Sequence, residues 1–137
     1  MAVTGGCLCG AVKFSFPGEP LGSRVCWCRL CQYLGAGSGT VNVIFHREGM
    51  TVSGELRDYV STADSGNRMH RHFCPTCGTP IFSAAEIRPT VVIVRAGALD
   101  DPEIARPGST IWTSAAPSWA CVDAALPQLT GQPPPVL

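Results

Sequence analysis

The sequence predicts a small, mainly β domain with largely antiparallel strands. Three observations carry this. Short segments alternate apolar and polar residues with period two. The 137 residues include 15 Gly and 12 Pro, which punctuate those segments as turns. Seven of the eight cysteines fall in three tight clusters, a pattern that staples short strands rather than long helices.

Along the chain, AVKFSF (Ala11–Phe16) places Val12, Phe14 and Phe16 on one face of a half-buried strand. Arg29–Leu34 lacks Gly and Pro until Gly35 and fits one helical turn. TVNVIF (Thr40–Phe45) repeats the strand pattern with Val41, Val43 and Phe45. Further strands are expected at Met50–Val52, Leu56–Ser61, Met69–Phe73, Pro80–Ser83 and Val91–Arg95, separated by turns such as EGM, SGE and DSGN. Asp-Asp-Pro-Glu from Asp100 sets a capping residue before a proline and predicts another short turn of helix. No repeat or internal linker is visible. A single domain over 1–131 with a Pro-rich tail over 132–137 is the expected organisation.

Charge and hydropathy narrow the function. Ten Lys plus Arg balance ten Asp plus Glu, with no basic run, so neither nucleic acid nor a membrane surface finds an electrostatic footprint. Apolar runs such as TVVIV (Thr90–Val94) are too short to span a bilayer. MAVTGGCLCG has neither a basic n-region nor an apolar h-region, and a cytoplasmic location is expected. The oligomeric state is open, a homodimer included.

The cysteines carry the chemistry. A reducing compartment disfavours disulfides, and C-x-C and C-x-x-C pairs strain the geometry of a bridge. Cys7 and Cys9 precede a strand, while Cys74 and Cys77 form the knuckle FCPTCGTP. Together they supply four thiolates, enough for a closed tetrahedral zinc joining segments 65 positions apart. Metal-free buried cysteines are the alternative. The middle cluster in RVCWCRLCQ offers Cys26, Cys28 and Cys31. Three protein ligands with an exchangeable position is the pattern of a catalytic zinc. Cys121, His46, His70 or His72 could instead close the site, although Cys121 in WACVD reads as a small buried residue.

GGCLCGAVKF, CWCRLCQ, RHFCPTCGTPIF, GALDDPE and PSWACVDAALPQLTG together resemble the glutathione-dependent formaldehyde-activating enzyme (GFA) family, over nearly the whole chain. The resemblance implies a small all-β, Mss4-like (β-tent) fold with two zinc ions. It implies a structural zinc on the positions of Cys7, Cys9, Cys74 and Cys77, and a second, open zinc on those of Cys26, Cys28 and Cys31, the catalytic cluster. The implied activity is that of a carbon–sulfur lyase joining glutathione to formaldehyde as S-(hydroxymethyl)glutathione. A zinc-stapled thiol-binding or redox-sensing protein without turnover is the alternative. Arg24, Arg29, Arg71 and Arg95 are candidates for holding the carboxylates of an anionic thiol; Asp58, Glu86, His70 and His72 are candidates for a base. The chain departs from the common family pattern at Trp27, at Gln32 and in the LGAGSG that follows. Trp27 is expected either to line a pocket or to cover the metal as a lid.

Overall fold

The computed structural model describes residues 2–136. Along these residues run β1 (Val3–Gly6), β2 (Lys13–Phe16), β3 (Gly22–Cys26), α1 (Arg29–Leu34), β4 (Thr40–His46), β5 (Thr51–Ser53), β6 (Arg57–Thr62), β7 (Arg68–Phe73), β8 (Pro80–Ala85), β9 (Val91–Arg95) and β10 (Thr110–Ile111). One sheet has the order β1-β2-β5, the other β10-β3-β4-β9-β8-β7-β6. The mainly β expectation holds, and the pairing is antiparallel except where β10 lies parallel to β3.

The small sheet packs its apolar face on the centre of the large one. Val12, Phe14 and Phe16 are 0%, 3% and 1% exposed, so the period-two pattern of this segment correctly names its inner face. Phe16 stacks on Phe45 of β4 with ring centroids 4.2 Å apart, and Phe14 meets Phe16 edge-on at 5.9 Å. Val43, Ile81, Val92, Val94 and Leu99 complete this core. Burying side chains of this size contributes about 1.5–3 kcal/mol each.

β4 and β9 are buried on both faces. Asn42 and Ile44 are covered as fully as Val43 and Phe45, and Arg95 is buried beside Val94. The face of the large sheet opposite the main core therefore has its own cover. That cover comes from α1 and from the C-terminal segment around Leu129.

The expected helix at Arg29–Leu34 forms with those bounds, and Asp101 caps the short 3-10 turn Pro102–Ala105 by accepting from the Glu103 amide at 3.0 Å. Three strands escape the sequence pattern. β1 is VTGG, where two glycines remove the side chains that would show alternation. β3 is GSRVC, of intermediate burial up to Cys26, and β10 is only two residues long.

Candidate metal centres

The outer cysteines meet at one end of the small sheet. Cys7 and Cys9 occupy the turn from β1 to β2, and Cys74 and Cys77 the turn from β7 to β8. Their four sulfurs all lie within 4.8 Å of one another, with Cys7–Cys9 at 3.5 Å and Cys9–Cys74 at 3.8 Å. Tetrahedral zinc with bonds near ~2.3 Å requires sulfurs about 3.8 Å apart, so the donor set fits. Backbone amides already point at the sulfurs. Val12 N–H donates to Cys7 Sγ at 3.2 Å, and those of Thr76 and Cys77 to Cys74 Sγ at 3.4 and 3.5 Å. Gly78 takes φ +78°, a left-handed conformation that closes the knuckle at no steric cost.

Four thiols this close compete for protons. The Thr79 hydroxyl, 3.1 Å from Cys77 Sγ, leads the interactions that bring the Cys77 thiol down to about 5. The Ala11 amide pulls the Cys9 thiol down, but Cys7 and burial outweigh it and push it up to about 11. Such a split is expected where neighbouring thiols share hydrogen bonds and titrate together.

The middle cysteines form a second, more deeply buried cluster, at 5%, 7% and 6% exposure for Cys26, Cys28 and Cys31. Their sulfurs also lie within 4.8 Å of one another. Cys26 ends β3. Cys28 is the N-cap of α1, its sulfur accepting from the Cys31 amide at 3.3 Å, and Cys31 sits in the first turn. Shared hydrogen bonds from Cys26 and Cys28 hold the Cys31 thiol far below its ordinary value, while the same sharing raises that of Cys26. Cys31 is thus favoured as the thiolate and Cys26 as the thiol. A divalent cation bound to all three sulfurs would relieve that competition, and the donor set fits one with a fourth position left to the cavity.

That cavity is lined by the three cysteines together with Arg24, Arg71, Arg88 and Arg95, with the exposed Asp64 as its only carboxylate among the described residues. Strand register assembles it. Arg24 of β3 pairs with Asn42 of β4, which pairs with Arg95 of β9, so three polar side chains form one row across the sheet.

The remaining candidates separate clearly. Arg29 leaves the list of carboxylate ligands: its guanidinium donates to Gln32 Oε1 at 2.5 Å and lies over the Tyr33 ring. Gln32 is buried and clamps the site from outside, Nε2 donating to Trp27 O at 2.8 Å and to Ala115 O at 3.0 Å. Trp27 is 4% exposed and lines no part of the cavity, because its ring packs beneath Gly39, where a Cβ would sit 2.9 Å from it. It is a buried ring packed against Gly39, neither pocket wall nor outer lid. The expectation of a buried Cys121 is wrong. It is exposed, because WACVD lies in an irregular surface segment, and it is absent from both clusters. His46 is exposed at the end of β4. His70 bridges Asp58 and Glu86 at 2.6 and 2.9 Å, and His72 stacks on Phe82; none of these four lines the cysteine cavity. Asn42, Ser83 and Arg88 were not foreseen, although a lone Asn inside TVNVIF is the kind of interruption that marks a polar site.

The sequence profile of the GFA family, glutathione-dependent formaldehyde-activating enzyme, matches residues 2–115. The chain belongs to this family. A Rhodobacter sphaeroides protein of known crystal structure aligns with TM-score 0.55 and 24% identity, covering 71% of this chain and 87% of its own. That likeness speaks to the fold alone. No curated protein sequence matches the chain. Both cysteine clusters of this GFA-family chain lie inside the matched residues, and their sulfurs lie close enough together that they could hold metal. The C-terminal segment that covers the second cluster lies beyond them.

Proposed function

We propose that the chain is a zinc-dependent carbon–sulfur lyase of the GFA type, joining glutathione or a related anionic thiol to formaldehyde or a small aldehyde. One observation carries this reading. A complete four-thiol cluster stands apart from a three-thiol cluster that opens on an arginine-lined cavity. Cys7, Cys9, Cys74 and Cys77 would hold a structural zinc, and Cys26, Cys28 and Cys31 a second one. Bound at the open cluster, zinc lowers the pKa of a thiol placed at its free position.

The chain's own residues do the rest. Arg24, Arg71 and Arg88 offer charge-assisted hydrogen bonds to the carboxylates of the thiol and hold its sulfur toward the cysteines. α1 fixes Cys28 and Cys31, and Gln32 anchors α1. In the reaction the thiol sulfur adds to the aldehyde carbon. A carbon–sulfur bond forms, the carbonyl π pair moves to oxygen, and that oxygen ends with the proton the thiol gave up, as the S-hydroxymethyl adduct.

Formaldehyde consumption with glutathione, measured above the spontaneous rate, tests the reading. Wild type should exceed Cys28→Ser by at least about a hundredfold if positioning and thiol activation both operate. Metal analysis should give two zinc ions per chain, the second lost first to chelator. Equal rates for wild type, Cys28→Ser and buffer reject catalysis on this substrate. One finding favours a second reading, a thiol-binding protein without turnover. None of the four acid–base candidates Asp58, Glu86, His70 and His72 reaches the cavity. Glutathione binding without rate enhancement would select that reading.

A further inference from the structure

Arg95 is a buried cation without a carboxylate. It is 9% exposed, and among the described residues no acidic side chain pairs with it. Its hydrogen-bond partners are neutral: Nη1 donates to Asn42 Oδ1 at 2.5 Å and Nη2 to Ser83 Oγ at 3.5 Å. A guanidinium does not give up its proton in a protein, so neutralisation is no escape. An uncompensated buried charge is strongly unfavourable, and some anion must stand nearby.

The anions within reach are sulfurs. Asn42 Nδ2 donates to Cys31 Sγ at 3.9 Å, so one amide joins the guanidinium to the three-cysteine cluster. The orientation of that amide is dictated. Arg95 can only donate, so Asn42 must present its oxygen to Arg95 and its NH₂ to the sulfur. Burial disfavours the charged guanidinium, and the nearby Cys31, Cys26 and Cys28 oppose that effect, whereas Arg71 adds a like charge. Three thiolates around one divalent zinc carry one net negative charge, the complement of a single arginine.

We propose that Arg95 is the built-in counter-cation of the Cys26/Cys28/Cys31 cluster, and that through Asn42 it positions Cys31 for metal binding. The proposal rests on the reading that this cluster holds zinc. It makes Arg95 a positioning residue, distinct from the more accessible arginines that would meet substrate. It also accounts for an asparagine inside β4, TVNVIFH, and for a buried charged residue closing the otherwise apolar β9, VVIVR.

The test measures metal affinity at each cluster, by zinc competition against a chromophoric chelator and by the thiolate-to-cobalt absorption of Co²⁺-loaded protein. Arg95→Met should weaken the second site by roughly 10- to 100-fold, the usual cost of losing an outer-shell partner. The first site should keep its affinity. Arg95→Lys, which restores the charge without the fork, should recover most of the loss. Asn42→Leu, which leaves the charge but removes the joining amide, should cost about tenfold and provides the answer if Arg95→Met does not fold. A wild-type chain with no second metal would reject the zinc reading itself. A wild type with two metals, and Arg95→Met or Asn42→Leu variants matching it at both sites, would overturn the role of Arg95. An Arg95→Lys variant as weak as Arg95→Met would also overturn the counter-cation role, because charge alone would then not restore binding.

Discussion

Cys9→Ser isolates what the four-cysteine cluster does for stability. Cys9 is exposed, so replacing its sulfur with oxygen leaves the hydrophobic core untouched and removes one of the four proposed zinc ligands. Its contact with Cys74 closes a segment of 65 positions. Treating a metal clip as a cross-link, closure of a loop that long removes about 4 kcal/mol of unfolded-state entropy at 25 °C. Domains of this size have only about 5–15 kcal/mol in total. A loss near 4 kcal/mol should lower Tm by roughly 14 °C for a chain of this length. Thermal melts followed by circular dichroism measure this directly. Cys121→Ser, at an equally exposed cysteine outside both clusters, is the control and should melt with wild type. If Cys9→Ser also melts within about 2 °C of wild type, the clip carries none of the entropy assigned to it and the staple argument fails.

Other perturbations follow from the same geometry. Gly39→Ala sets a methyl group 2.9 Å from the Trp27 ring and should cost about 1–3 kcal/mol by chemical denaturation, with weaker metal binding at the adjacent cluster; an unchanged midpoint would contradict the packing. Arg24→Ala, losing a charge-assisted contact of about 1.5–3 kcal/mol, should raise KM for glutathione roughly ten- to a hundredfold while zinc content and kcat stay near wild type; a collapse of kcat alone would move Arg24 from binding to chemistry. Hydrogen bonds from Asp58 and then Glu86 raise the His70 pKa, so its stabilising contribution is complete below the unfolded value and fades as pH rises through the raised one. Burial lowers the His72 pKa, so its contribution is present above the unfolded value and is lost as pH falls through the lowered one. NMR titration should therefore find His72 deprotonating at lower pH than His70; the reverse order would refute both assignments.

The sequence was most legible where one residue decides one face. Val12, Phe14 and Phe16 point inward as alternation demands, and the clustered cysteines announce two sets of sulfurs before any coordinates. Alternation loses its force where a strand is covered on both sides, as in β4 and β9, because every position then reads as core. β3 and β10 were invisible for a related reason. Two residues of β10 hold no periodicity, and their parallel register with Val25 and Cys26 comes from chain direction in the fold rather than from local pattern. Trp27, expected as a pocket wall or a lid, and Gln32, a departure from the family pattern, drew attention because they neighbour the proposed ligands in sequence. Both side chains turn away from the cavity, Trp27 ahead of α1 under Gly39 and Gln32 from within α1 onto the Ala115 carbonyl. Cys121 misled through residue type alone, since an average preference for burial says little about a segment without regular structure.

The strap over the second cluster has a consequence in time. Thr110 is held between Pro127 and Leu129 by backbone bonds of 2.9 Å, Thr113 donates to Leu129 at 3.1 Å, and Trp112 Nε1 reaches Gln132 at 2.9 Å. The strap covers Cys26, Cys28 and Cys31 with residues about a hundred positions later in the chain. During synthesis the four-cysteine set is complete once Cys77 has emerged, whereas the three-cysteine set stands complete but unroofed until the segment around Leu129 follows. Synthesis thus separates two events: the four-cysteine cluster can assemble on a growing chain, and the three-cysteine cluster gains its cover only after Leu129 has been made.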